Sequence, residues 1–359
     1  MDAGLLAFLI ALVASLILTV PVRALALRVG MVDLPGPRKV HLQPIPLLGG
    51  LAMYGAVVLA TLFAFHGPAR QQIAGILAGA TLVAGVGIMD DRGLLHHQVK
   101  LFLAMPLAAI ILLLSGVHAQ VFSLLLGGRT GSVLDSSLTV IWVVGITASF
   151  SILDHMDGLC AGITAMASIF FAMIAYLNGQ TLVTTLAAAV LGAAAGFLRW
   201  NFKPAKIFMG DGGAMFLGFL MATLGLKLRV EHASHLSAWL APLLILGVTI
   251  FDTTLVTISR SRRGFLPFTT PGKDHTAHRL ANLGLGQRGA VLMLYMLGAF
   301  GGATAVLIGY LSTRGALYVG LAAFAIILAG VFYLERAPYE KQSRKGSAPA
   351  KVVGSQASL

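Results

Sequence analysis

Long apolar runs fill this chain, and its polar residues fall between them. Eleven stretches of mostly apolar residues can be drawn, at roughly 4–28, 48–66, 71–89, 99–117, 137–154, 158–177, 181–200, 213–230, 236–259, 289–312 and 315–334. A helix of about 20 apolar residues spans the hydrocarbon core of a bilayer. The pattern therefore predicts an all-α, polytopic integral membrane protein with about eleven transmembrane helices. The first stretch reads as a retained helix. It lacks a basic start and continues into Pro21 and Arg23 without a small-residue cleavage site. Gly75/Gly79 and Gly192/Gly196 are spaced for close helix packing. Between the fourth and fifth stretches, the Gly127–Gly131 turn sits among short apolar runs and predicts a small extracytoplasmic β-hairpin within 118–136. No repeat of fixed period stands out.

Composition sharpens this picture. Of 359 residues, 57% are hydrophobic and 11% charged, with mean hydropathy +0.88. Soluble domains carry about 25% charged residues, so a soluble enzyme is excluded, as is a disordered chain. One cysteine, Cys160, permits no internal disulfide. The net charge of +12 suits the anionic face of a lipid bilayer better than nucleic acid in so apolar a chain. Residues 1–335 read as one membrane-embedded domain. Residues 336–359, rich in Lys, Ser, Ala and Gly, read as a disordered basic tail.

The bases set an orientation. Only Arg70, Arg129, Lys227, Arg229 and Arg314 fall on the side of the N-terminus. The other 20 of 25 occupy the odd-numbered gaps and the tail. The positive-inside rule places those gaps and the C-terminus in the cytoplasm, with the N-terminus outside a plasma (inner) membrane.

Eight acids, Asp33, Asp90, Asp91, Asp154, Asp157, Asp211, Asp252 and Asp274, lie at or near the same cytoplasmic side. Intramembrane charge is rare and marks function. Acids gathered with bases at one face suit a polyphosphate substrate and its divalent metal. Asp90 and Asp91 end one helix, where carboxylates oppose the helix dipole. Successive residues are about 100° apart around a helix, so the two point differently. Asp154 and Asp157 are three apart and share a face if the segment stays helical. His155 between them reads as a surface histidine. Asp211 is flanked by Gly210 and Gly212, which lets backbone amides approach a phosphate oxygen. In the longest basic gap, His275, His278 and Arg279 offer donors to a diphosphate. Two His and an Asp hint at zinc there, but hard oxygen ligands predominate elsewhere and favour Mg²⁺.

Taken in order, these motifs carry a resemblance. They are Asp33…Arg38-Lys39-x-His41…Pro46-x-x-Gly49-Gly50, then Asp90-Asp91, then Asp154-x-x-Asp157-Gly158-Leu159, then Phe208-Met209-Gly210-Asp211-x-Gly213, then His275-x-x-His278-Arg279-Leu280. The chain resembles the polyprenyl-phosphate N-acetylhexosamine-1-phosphate transferases from about residue 30 to 290. That family implies attack of a polyprenyl phosphate on the β-phosphorus of a UDP-amino-sugar, with UDP-GlcNAc the first expectation, releasing UMP. It implies Asp90, Asp91, Asp154, His275 and His278 as catalytic residues. Arg38, Lys39, His41, Lys100, Asp157, Asn201, Phe208 and Arg279 are implied as substrate contacts. Asp211 with Asp154 is implied to hold Mg²⁺, or Mn²⁺ in its place. A homodimer is compatible with this reading.

The chain departs from the family pattern in places. Ala148 and Ser151 stand where two Asn are common, His155 replaces a Gly, and Ala277 breaks a consecutive histidine pair. The histidine cluster and Thr-Pro-Thr-Met-Gly-Gly loop of the phospho-MurNAc-pentapeptide branch are absent. Eleven spans and a cytoplasmic tail resemble the GlcNAc-1-phosphate branch better. A secondary transporter would account for Asp252, but it calls for a midplane site between repeats. A membrane scaffold leaves the five acidic motifs unexplained.

Overall fold

The computed structural model of the protein describes residues 2–35, 43–95, 97–230, 235–265 and 272–338. Arg38, Lys39, His41 and most of the basic tail lie outside the described residues. Every one of the eleven apolar stretches is helical, in part or throughout. Among the described residues, seven helices are long and apolar enough to cross a membrane. An eighth crossing is a pair, Ala238–Ile245 and Gly247–Arg262, bent by 69°. The 99–117 stretch begins as a π-helix, Lys100–Ala104, and continues as Met105–Leu114.

The Gly210–Lys227 helix is the axis of the bundle. Every residue from Gly212 to Leu226 is buried. It packs against Gly49–Ala64, Arg70–Asp91 and Gly128–Leu153. Glycine permits the closeness. A Cβ on Gly87 would lie 2.5 Å from the Cα of Gly212, and one on Gly50 would lie 2.3 Å from that of Gly213. The periphery is apolar and outward-facing, as in the Thr313–Glu335 helix with Leu321, Phe324 and Ile326 exposed. Such a surface is stable only in lipid.

The expected hairpin is a correction. Phe122–Leu126 is a short helix, and Gly128–Leu153 begins helical directly after Gly127. Asp135 decides this. It is 3% exposed, and its carboxylate accepts the backbone N–H groups of Val121, Phe122 and Ser123. Those are the orphan donors of a helix start. Strand pairing among the described residues is confined to Val32–Asp33 with Ile45–Pro46, antiparallel, and a parallel bridge from Leu47 to Phe208.

Helix polarity gathers the site. Asp91 ends one long helix, Asp154 caps the end of another, Asn201 ends a third, and Asp211 opens the axial helix. All four sit at one end of the bundle.

Candidate active site

Asp211 stands at the centre of a carboxylate cluster. Lys100 Nζ bridges Asp90 Oδ2 and Asp211 Oδ2, at 2.7 Å from each. Lys100 opens the π-helix, a widened turn that recurs at functional positions. Ser151 Oγ donates to Asp211 Oδ1. Asp91 does something different from its neighbour. Its two oxygens accept the N–H groups of Asp211 (2.8 Å) and Gly212 (3.1 Å). It thereby caps the axial helix from outside, where the helix dipole favours an anion. Gly210 makes room for it. Its φ is +73°, and a Cβ there would lie 2.4 Å from Asp91 Oδ2.

Asp154 and Asp157 sit in the turn that follows the Gly128–Leu153 helix. Burial pushes the Asp154 carboxyl up to about 8, and the charges of Asp211, Asp91 and Asp157 push the same way. Asp157 Oδ2 accepts the N–H of Ala205. Asn201 is 3% exposed and stitches the same turn. Its Oδ1 accepts from Gly158 N, and its Nδ2 donates to Ile207 O. These are internal bonds, so the expected substrate contact of Asn201 is occupied by backbone. Phe208 is held by its backbone to Pro46 and Gly49, with its side chain half-buried.

A second cluster adjoins the first through consecutive residues, Asp154 and His155. His155 is not the surface histidine of the sequence reading. Its ring stacks on His275 with centroids 3.9 Å apart, and lies 5.0 Å from His278. Its Nδ1 faces the carbonyl of Ile152, and its Nε2 is buried without a hydrogen-bond partner. Burial, then the neighbouring His275, pushes its pKa well down. His275 is 5% exposed and engaged at both nitrogens, with Asp252 Oδ2 at 3.0 Å from Nδ1 and Arg260 Nη2 at 3.3 Å from Nε2. Asp252 Oδ1 also accepts the N–H of Thr276, so one intramembrane carboxylate holds the whole loop start. His278 is left half-buried at the edge of the cluster.

His155, Asp252 and His275 have ligand atoms close enough to one another to hold a metal ion. Two features oppose it. Stacked imidazoles present their lone pairs side by side, where a tetrahedral ion needs them convergent. The Arg260 guanidinium already lies against His275.

Arg279 is the sharpest departure from expectation. It is fully buried. Its guanidinium donates to Asp274 O, Leu334 O, Glu335 Oε2 and Ser259 Oγ. The expected diphosphate clamp is thus enclosed by protein and ties the loop to the last helix. Asp274 takes the opposite role. Burial alone would raise its pKa, but Arg260 and Arg263 hold it down at about 2. Sequence reasoning missed the pairing of Asp274 with these two arginines. It also missed the bond from Ser151 and the anchoring by Asp252. An acid inside an apolar stretch was the available signal for Asp252.

The structure thus brings Asp90, Asp91, Lys100, Asp154 and Asp211 together, with the histidine loop beside them. Fold and site define a multi-pass membrane protein with an ionic site at one end of its bundle. The chain belongs to the family described as "Glycosyl transferase family 4", whose model matches residues 73–229. A relative from Bacillus subtilis (strain 168), named "Probable undecaprenyl-phosphate N-acetylglucosaminyl 1-phosphate transferase", is 37% identical over 81% of each chain. The "Decaprenyl-phosphate N-acetylglucosaminephosphotransferase" of Mycobacterium tuberculosis (strain CDC 1551 / Oshkosh) is 33% identical over 87% of this chain and 84% of its own. The "Undecaprenyl-phosphate alpha-N-acetylglucosaminyl 1-phosphate transferase" of Escherichia coli O157:H7 is 24% identical over 80% and 79%.

Proposed function

We propose that the protein transfers N-acetylglucosamine 1-phosphate from UDP-N-acetylglucosamine to a polyprenyl phosphate, as the names of its relatives indicate for them. An oxygen of the acceptor phosphate bonds to the β-phosphorus of the donor. The bond from that phosphorus to the bridging oxygen breaks, and its electron pair leaves with UMP. The product is polyprenyl-diphospho-N-acetylglucosamine, the first lipid-linked intermediate of a cell-envelope polysaccharide. The asymmetry of the basic residues supports a cytoplasmic site in the plasma membrane, with about eleven spans.

The observation that carries this reading is the cluster at one end of the bundle in which Lys100 bridges Asp90 and Asp211, and Asp91 holds the backbone of Asp211 and Gly212. Phosphoryl transfer asks little of a protein beyond positioning and charge. Lys100 is placed to exchange its carboxylate partners for a phosphate oxygen. Asp90 orients Lys100, and Asp91 fixes the backbone that carries Asp211. The loop anchored by Asp252 presents His278 beside the cluster.

The donor set also fits a divalent ion. It consists of carboxylate oxygens, and each retains a lone pair beyond the bonds described. Asp211, with Asp154 next to it, would hold Mg²⁺ or Mn²⁺, which when bound neutralises charge on the diphosphate and the departing UMP.

The test is incubation of the purified protein with Mg²⁺, a polyprenyl phosphate and a panel of UDP-sugars, with UMP measured. UMP release with UDP-N-acetylglucosamine, lost in Asp211→Asn, is expected. Absence of UMP with every donor sinks the reading, and release with a different sugar corrects the substrate.

A further inference from the structure

The turn that carries Asp154 and Asp157 is pinned from two sides. On one side lies the end of the Thr181–Asn201 helix and the residues after it. Asn201 Oδ1 accepts from Gly158 N, and Asp157 Oδ2 accepts from Ala205 N. On the other side is Tyr295. It belongs to the Gly286–Ile308 helix, which follows the histidine loop. Its hydroxyl donates to Gly158 O at 2.6 Å. A phenol in apolar surroundings finds a partner for its O–H, and this one reaches the residue next to Asp157.

The fit is close. Gly162 lies in the first turn of the Leu159–Leu177 helix, and a Cβ there would overlap the Tyr295 ring and hydroxyl. Leu153, Leu159, Ala277 and Val291 form a buried apolar cluster, with Tyr295, Met156 and Leu280 packed against it. The cluster and the hydrogen bond together join the aspartate turn to the histidine loop. Gly158 O also accepts from Gly162 N at 2.9 Å, the bond that begins the helix. A carbonyl has two lone pairs, so that bond persists without the phenol. The Tyr295 hydroxyl is therefore not needed to keep this carbonyl paired. What it adds is a fixed distance between two parts of the site.

We propose that Tyr295 is a positioning residue for the transfer reaction, holding the Asp154–Gly158 turn in register with the histidine loop; the proposal rests on the transferase reading above. Tyr295→Phe keeps the ring and removes the O–H. In the UMP-release assay, kcat and kcat/KM are expected to fall together by about two- to tenfold, the range of one neutral hydrogen bond. KM for both substrates and the thermal transition are expected to match wild type, because Gly158 O keeps its helix bond. In an Asp252→Asn background the loop start is already loosened, so Tyr295→Phe is expected to cost a smaller factor there than in wild type. Wild-type kcat in Tyr295→Phe overturns the proposal, with or without a lowered Tm. A raised KM at unchanged kcat overturns it too, since Tyr295 would then serve binding alone. Equal factors in the two backgrounds separate Tyr295 from the loop and also overturn it. If wild type releases no UMP from any donor, the transferase reading fails instead. Hydrogen exchange then reads the link without turnover. Tyr295→Phe is expected to speed exchange both at 154–162 and in the 275–285 loop, and unchanged exchange in the loop overturns the link.

Discussion

Arg279→Lys tests whether the histidine loop is an internal anchor or a direct clamp on substrate. The exchange keeps the net charge at +12. It removes the planar fork by which one guanidinium serves partners on separate elements. Arg279 makes four such bonds: Nε to Asp274 O at 2.8 Å, Nη1 to Leu334 O at 2.6 Å and Glu335 Oε2 at 3.0 Å, and Nη2 to Ser259 Oγ at 2.8 Å. A single ammonium nitrogen cannot span the loop, the bent helix and the last helix together, so at least two bonds are forfeited. A hydrogen bond to a charged group contributes about 1.5–3 kcal/mol. Two such losses bracket about 3–6 kcal/mol, and coupling among neighbours makes the lower end the better expectation. Thermal unfolding in detergent should show a lowered Tm. UMP-release kinetics should show a fall in kcat with KM for the UDP-sugar unchanged, because the side chain does not reach the donor. An unaltered Tm together with a KM raised at least about tenfold, the effect of one lost charge-assisted bond, would refute the anchor and restore the clamp.

Three further outcomes follow from the same geometry. Asp252→Asn should release either His275 or the start of the Thr276–Leu280 helix, since an amide offers one acceptor oxygen where the carboxylate uses two; kcat should fall in the UMP assay, and a wild-type rate would remove Asp252 from the positioning of the loop. Lys100→Met should leave Asp90 and Asp211 facing each other without a cation and reduce turnover at least about tenfold, while the thermal transition persists; wild-type turnover would show the bridge to be incidental. Asp274 is held below its unfolded pKa of 3.8, at about 2. Its contribution to stability is therefore fully present above about pH 4 and is lost as pH falls through 2. Hydrogen exchange in the 272–285 loop should rise over that window, and an Asp274→Asn variant should lack the transition.

The site was legible in its residue types and much less in their roles. Asp90 and Asp91 read as a pair with divergent directions, and the structure gives them divergent partners, a lysine amine and two backbone amides. His155 read as a surface residue because single-residue preference cannot anticipate a stacking partner 120 positions away in His275. Arg279 read as a phosphate donor because an arginine beside histidines in a basic loop has that chemistry. Only the approach of Leu334 and Glu335 shows its donors to be taken. The Gly127–Gly131 turn read as a hairpin because glycines break helices locally. Asp135, folded back on three amide groups, overrides that preference.

The sequence alone determined that the chain lives in a membrane. Backbone polar groups in hydrocarbon must be satisfied within their own segment, so each long apolar stretch has a helix as its simplest solution. It also determined that acids and bases collect toward one end, because burying charge in lipid is costly wherever the chain folds. Tertiary structure decided which of these charges meet. Lys100 reaches Asp211 only because Gly87, Gly210 and Gly212 let two helix ends close to backbone contact. The 69° bend falls between Pro242 and Gly247, residues that interrupt a helix locally, but that Asp252 beyond it meets His275 was decided only by the tertiary arrangement.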